Sequence, residues 1–295
     1  MPSFNFQELF NSDAIKKLED DDDFLKIELS KDILEKQGLI SKSDVTKPKR
    51  KRIRKKFTFF LDIDSTITDE DSDLPDPRCK PVFEQIQKKY KHKIFFISGR
   101  PIDKVRSVIK TCKAKPHAIV ENGGLIINSR KIIATNGDKK LCESAYRKLK
   151  PLVSKMKKAR GVGNTTEVIL EKNGTISTIR KYIKSENLSV EINTSKRFYH
   201  LHKSGIHKGY GLTRFMADNN IDYRYSVAIG DSEIDLPMIK KVKYAFLVAN
   251  APATLKKRVN PDSVLKNKSF DGVLEAMMII EPRIKPFIKK EKFLK

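Results

Sequence analysis

From Phe57 onward, short apolar runs alternate with amphipathic helical patterns, and nothing else in the chain limits its fold as tightly. The runs are FTFFLDI (57–63), KIFFIS (93–98), HAIV (117–120), SVAIG (226–230) and YAFLV (244–248). Their brevity, their polar or turn-forming flanks and their β-branched or aromatic content mark buried strands rather than helices. Between them, PVFEQIQKKYK (81–91) and DKVRSVIKTCK (103–113) repeat apolar residues at helical spacing. Such alternation predicts an α/β fold built on a doubly wound, mainly parallel sheet. In that architecture ligand chemistry gathers at the carboxyl ends of the strands.

The alternation breaks between the third and fourth of these strands. Residues 131–202 carry a helical pattern (KKLCESAYRKLKPLVSKMKKA, 139–159), then TTEVILE (165–171), a second helix in TISTIRKYIKS (175–185) and two strand patterns, LSVEIN (188–193) and RFYHLHK (197–203). That order predicts an inserted α+β segment large enough to form a lid over residues 57–130 and 203–285. Residues 286–295 read as a basic tail. Residues 1–56 read as an extension outside the fold. It is acidic up to residue 46, with the run Glu19 to Asp23, and then basic in eight of the ten residues of KPKRKRIRKK (47–56). Within it, Ile33, Leu34 and Ile40 suit a short amphipathic helix capped by Ser30, while Leu25, Ile27 and Leu29 alternate as a short strand would.

Composition narrows the class of protein. At 295 residues the chain can bury one large core or two ordinary ones. No apolar run approaches the roughly 18 residues of a membrane span. The opening MPSFNFQELF lacks the basic-then-apolar order of a signal peptide, so a cytoplasmic protein is expected. Cys79, Cys112 and Cys142 are odd in number, widely spaced and without a CxxC pair, which signals neither a disulfide framework nor a zinc knuckle. The net charge of +24 suits polyanions and small phosphorylated substrates alike. The run 47–56 fits a solvated linker, a nuclear-localisation segment or a contact with nucleic acid, although no aromatic residue interleaves it.

Four short motifs carry the chemistry. Asp62-Ile63-Asp64-Ser65-Thr66 follows the first strand directly. Two carboxylates at a buried strand end are costly unless a cation offsets them, and a hard, oxygen-seeking ion such as Mg²⁺ does so. Read alone, the motif is equally an acidic turn. Ser98-Gly99-Arg100 ends the second strand, where a hydroxyl and an unshielded backbone NH can face an anion, or where Ser simply caps a turn. Lys208, in SGIHKGYG, can reach a phosphoryl group as a point charge, or be one lysine among many. Gly230-Asp231-Ser232-Glu233-Ile234-Asp235 follows the fourth strand and offers two further carboxylates to a shared cation, or a helix cap.

In this order the four motifs resemble the signature of the haloacid dehalogenase superfamily, and the resemblance covers about residues 57–280. Glu121-Asn122-Gly123-Gly124 and the insertion that follows are similar to the branch with a large α+β cap set into a Rossmann-like core. Within it the archaeal-type phosphoglycolate phosphatases look nearest, with sucrose-phosphate and mannosyl-phosphoglycerate phosphatases as cousins. The resemblance implies a phosphatase acting on a small phosphorylated metabolite. Asp62 would be the nucleophile and Asp64 the acid that protonates the leaving group. Mg²⁺ would be held by Asp62, the Asp64 carbonyl and Asp231, with Asp235 behind them. Ser98, the Gly99 NH and Lys208 would hold phosphoryl oxygens, and Thr66 would brace the first loop. Arg100, Asn122, Thr166 and Glu167 are candidates for choosing the substrate, and Arg160 and Lys172 for binding a carboxylate. Asn250 and Ala251 would close the site. His200 and His202 share one strand face and are either metal ligands or ordinary strand histidines. Ser65 stands where many relatives have glycine, and Ile234 where they usually place asparagine.

Overall fold

A computed structural model describes residues 55–195 and 197–290. The extension as far as Arg54, including the expected helix, the acidic run and most of the basic run, lies outside the described residues, as does the tail from 291.

The five apolar runs form five strands, and five further strands complete two sheets. In chain order these are β1 (Thr58–Leu61), β2 (Lys93–Ile97), β3 (Ala118–Val120), β4 (Leu125–Ile127), β5 (Ile132–Thr135), β6 (Val168–Glu171), β7 (Val190–Thr194), β8 (Phe198–Lys203), β9 (Ser226–Gly230) and β10 (Tyr244–Leu247). The larger sheet runs β10-β9-β1-β2-β3-β4-β5. Its strands from β10 to β3 pair in parallel, and β4 and β5 close one edge antiparallel. Both faces of this sheet are covered, so its strands read as unbroken apolar runs. In β1, Phe59 and Leu61 enter one core while Phe60 enters the other, as the period-two geometry of a strand demands.

Helices supply the covering layers. The helix Cys79–Lys89 buries Cys79, Val82, Phe83 and Ile86, a stripe at helical spacing, and ends on Lys88 and Lys89, which suit the negative end of the helix dipole. The helix Ile102–Cys112 buries Val105, Val108, Ile109 and Cys112 and stops where Lys113 turns left-handed, at φ 57°. At the far end of the chain Ile288 is fully buried, so residues 286–290, read from sequence as tail, begin as a packed helical turn.

The inserted segment has its own core. The smaller sheet runs β6-β8-β7, all antiparallel, and the helices Lys139–Leu149 and Ile176–Ser185 pack beside it around Cys142, Leu149, Leu170, Ile179 and Leu201. Two details differ from the sequence reading. The first helix ends at Leu149 rather than running to residue 159, because Pro151 has no amide proton for the next bond of the ladder, although Lys150 itself keeps helical angles and donates to the Tyr146 carbonyl. Residues 132–135, placed in the insertion from sequence, pair with β4 in the larger sheet. Among the described residues no helix is long and apolar enough to cross a membrane.

A buried pair at the base of the sheet makes stability depend on pH. His92 accepts from the Phe57 amide at Nδ1 (3.1 Å) and meets Glu281 through Nε2 (3.2 Å). That pattern needs the neutral ring, and burial holds its pKa below the ordinary value. Glu281 lies below the usual carboxylate range despite its burial, because the Arg283 guanidinium and amide and the His92 ring favour its charged form. Both shifts are downward, so both contributions are present at neutral pH and fade as the medium is acidified. His92 acts from about pH 6.5 downward and Glu281 from about pH 4.5. Thermal midpoints measured between pH 8 and pH 5 are expected to fall less steeply for His92→Gln than for the parent chain; equal slopes would remove His92 from the account.

Candidate active site

Four of the expected residues meet at the carboxyl ends of β1 and β9. These strands pair in register, Leu61 with Ile229, so Asp62 and Asp231 leave the sheet side by side. The Asp62 amide donates to the Ile229 carbonyl (3.0 Å), which fixes where the first loop starts. Asp235 turns back towards the strand end. Its Oδ2 accepts from the Asp231 amide (3.1 Å), the Ser232 amide (2.9 Å) and the Ser232 hydroxyl (2.8 Å). Gly230 makes this turn possible, because a Cβ there would lie 2.6 Å from the Asp235 carboxyl carbon. Lys208 begins the helix Lys208–Asp218 and is 1% exposed. Its Nζ lies 2.6 Å from Asp62 Oδ1 and 2.6 Å from Asp235 Oδ1.

Charge in this cluster does not balance. Carboxylate oxygens of Asp62, Asp231 and Asp235 all lie within 4.8 Å of one another, against a single ammonium. Burial, then the charge of Asp235, pushes the Asp62 carboxyl up to about 7, with Lys208 opposing. Burial, followed by the charges of Asp235 and Asp62, pushes Asp231 up to about 9. Lys208 is held firmly protonated; burial opposes its charge, but the two carboxylates outweigh that. Carboxyls that resist ionisation while crowded together would be relieved by a bound cation. The donor set, three oxygen ligands of high charge, fits a hard divalent ion. Among the described residues, neither His200 nor His202 joins a cluster of metal-ligand spacing.

The other expected residues divide. Ser98 is fully buried at the end of β2, beside β1, and its Oγ accepts from the Arg100 amide (3.1 Å). Gly99 packs against Asn122, whose Oδ1 would lie 2.9 Å from any Cβ placed there. Asp64 turns its carboxylate away from the acidic cluster and on to Arg100. Ser65 takes φ 56°, a left-handed conformation that glycine adopts more readily, and its amide donates to Thr68 Oγ1 (3.0 Å). Thr66 is fully buried, with its Oγ1 unpartnered. Asn250 braces: Nδ2 donates to the Ser65 carbonyl and Oδ1 accepts from the Ser269 amide, both at 2.8 Å. Its neighbour Ala251 is buried.

The insertion meets the core through residues that sequence reasoning assigned to substrate or overlooked. Glu121 and Asn122 are consecutive left-handed residues, φ 50° and 54°. Their turn aims the Glu121 carboxylate into the insertion, where it accepts from the amides and hydroxyls of both Thr165 and Thr166. Thr166 is therefore a fastening. Glu167 is buried as well, accepting from Asn164 Nδ2 (2.7 Å) and lying 3.3 Å from His200 Nδ1. Burial opposes ionisation of Glu167, but the His200 charge and hydrogen bond hold its carboxyl below the usual range. Asn122 Nδ2 joins the same group, 3.1 Å from His200 Nδ1. His202 is occupied by Asn193, 2.9 Å from its Nε2. Arg160 is exposed, and Lys172 donates to the Ser195 carbonyl (3.0 Å).

The family model described as haloacid dehalogenase-like hydrolase matches residues 59–152 and 143–277. The chain belongs to the haloacid dehalogenase-like hydrolases. It is a phosphatase of that family, and phosphatases stand among its relatives. It is 27% identical over 228 residues to the phosphoglycolate phosphatase of Nitrosopumilus maritimus, covering 77% of this chain and 97% of that protein. It is 30% identical over 196 residues to that of Methanothrix thermoacetophila, covering 66% and 85%. In fold it is similar to a Thermoplasma acidophilum crystal structure (TM-score 0.66, 19% identity, covering 77% of this chain and 98% of that one). It is likewise similar to the sucrose-phosphatase of Synechocystis (TM-score 0.61, 13% identity, covering 77% and 98%).

Between the core and the cap of this haloacid dehalogenase-like hydrolase lies a cavity of about 430 Å³ that reaches Lys208 and Asn122. Arg180, Asn193 and Thr194 line it from the cap, and Ile234, Pro237 and Arg258 from the core. None of these except Ile234 stood out in sequence. Arg180 is one basic residue in a basic helix, and only the packing of that helix turns it to the cavity.

Proposed function

We propose that this phosphatase hydrolyses small phosphomonoesters with Mg²⁺ bound among Asp62, Asp231 and Asp235, and that phosphoglycolate is its substrate. The observation that carries the reading is the under-neutralised trio of carboxylates, Asp62 and Asp235 buried and Asp231 partly so, with Lys208 bonded to two of them. Mg²⁺, when bound, would neutralise the crowded carboxylates and the phosphate dianion that must approach them. Asp62 would attack phosphorus, forming an aspartyl-phosphate as the ester oxygen departs. Asp64 would give that oxygen its proton, then take one from the water that attacks phosphorus and frees Asp62. Lys208, Ser98 and the Gly99 amide would steady the phosphoryl oxygens as charge builds on them. The names of the archaeal relatives favour phosphoglycolate.

Free phosphate should appear from a panel of phosphomonoesters with Mg²⁺ and cease with a chelator, with phosphoglycolate among the fastest. A ranking that puts sugar phosphates well ahead would overturn the substrate, and turnover unaffected by chelation would overturn the metal. Ion binding must also displace protons from Asp62 and Asp231, whose carboxyls are pushed up to about 7 and about 9 by burial and by the neighbouring charge of Asp235. The rise in thermal midpoint on adding Mg²⁺ is therefore expected to be larger at pH 9 than at pH 6.

A further inference from the structure

The carboxylate assigned to proton transfer is held by a chain of contacts that begins outside the acidic cluster. Asp64 is about half exposed, its side chain 53% accessible, and an aspartate so placed samples several rotamers. Here it has one. Arg100 meets it edge to edge, Nη2 to Oδ1 at 2.7 Å, with Nε 3.1 and 3.2 Å from the two oxygens. A guanidinium fork fixes the plane of a carboxylate as well as its position.

Arg100 is itself fixed from three sides. Its amide bonds to Ser98 Oγ, its side chain is only 12% exposed, and Nη1 donates to the Asp73 carbonyl (2.8 Å). With its guanidinium committed to Asp64 and Asp73, Arg100 is poorly placed to take up a substrate anion, the role expected from sequence. The Asp73 carboxylate then accepts from Arg197 Nη1 at 2.9 Å. Arg197 belongs to the cap, in the turn between β7 and β8. Both partners in that last contact are more than half exposed, so it is weak enough to make and break at each turnover.

We infer that Arg100 is a positioning residue for Asp64, and that Asp73 and Arg197 make the readiness of that carboxylate depend on the seating of the cap rim. The inference rests on the proposed proton-transfer role of Asp64. In the first step Asp64 delivers a proton to the ester oxygen while the phosphorus–oxygen bond breaks and the Asp62–phosphorus bond forms. In the second it receives a proton from water as the water oxygen displaces Asp62. A carboxylate off line by an ångström serves neither step.

The test compares two esters on the full-length chain. Phosphoglycolate leaves as an alkoxide that needs a proton; p-nitrophenyl phosphate leaves as a stabilised phenolate that needs little help. Asp64→Asn sets the reference: kcat should fall far more on phosphoglycolate than on the aryl ester. Arg100→Met should copy that pattern, losing about 10²-fold in kcat on phosphoglycolate, with KM nearly unchanged and a much smaller loss on the aryl ester. Arg100→Lys, which keeps the charge without the fork, should fall between. Arg197→Ala, a change on the surface, should show the same selectivity more weakly and keeps the question open to test should Arg100→Met not fold. Equal losses on both esters, or a raised KM with kcat held, would return Arg100 to substrate binding and overturn the inference. An Arg197→Ala enzyme without selectivity would overturn the tie to the cap. If Asp64→Asn itself fails to separate the esters, the proton-transfer role falls first, which distinguishes that failure from one at Arg100.

Discussion

Asp62→Asn is expected to reduce phosphate release by about 10⁴-fold or more, the scale on which nucleophile replacements act, while leaving the fold intact. Asparagine keeps the shape and an acceptor for Lys208 Nζ, which lies 2.6 Å from Asp62 Oδ1, but cannot form the acyl phosphate. The same change has a second effect of opposite sign. Burial and the charge of Asp235 raise the Asp62 carboxyl to about 7, so the folded chain holds a proton that the unfolded chain gives up above about pH 4. Stability attributable to this group therefore falls as pH rises through that window. Without metal, the variant should melt no lower than the parent at pH 8, and calorimetry with a chelator would measure it. Activity near that of the parent would end the assignment of Asp62.

Lys208→Met is expected to be the most destabilising substitution in the site. The ammonium is 1% exposed and is the cation that the Asp62 and Asp235 carboxylates share. Removing one partner of a buried ionic group costs about 3–5 kcal/mol, chiefly because the charges left behind have no water to turn to. The loss should shrink on acidification, since protonating the orphaned carboxyls removes their charge. Denaturant melts at pH 8 and pH 5 would display it. Turnover should fall by at least about 10²-fold, the effect of losing one well-placed electrostatic donor. A variant as stable as the parent at both values would mean that the carboxylates do not depend on Lys208.

Much of this was legible before any coordinates, and the boundary of legibility is physical. A strand covered on both faces is apolar along its interior, so β1, β2, β3, β9 and β10, their end residues apart, are written openly as runs of Phe, Ile, Val, Leu and Ala. Acidic residues at the ends of β1 and β9 have few uses other than charge chemistry, and Asp62 and Asp231 do meet. What stayed hidden depends on backbone turns that composition does not announce. Glu121 and Asn122 take left-handed conformations, and that reversal makes Thr166 a fastening and brings Asn122 to Glu167 and His200. Arg100 sits beside the predicted Ser98-Gly99 pair, yet its partner is Asp64, thirty-six positions away. Residues 132–135 fall in the stretch read as the insertion, where no separate strand stands out in the sequence; they form β5, an edge of the larger sheet on which Ile132 and Ile133 are exposed.

The grip of Glu121 on Thr165 and Thr166 limits how the upper lobe can move. A lobe joined to its base only where the chain enters and leaves could swing like a door on two pins. A third fixing point, midway along the inserted segment, makes the mount triangular, and a triangular mount does not swivel unless one corner lets go. Traffic of ester, alcohol and phosphate is then expected to need only small rearrangements at the rim, where Arg180, Arg197 and Asp73 stand exposed.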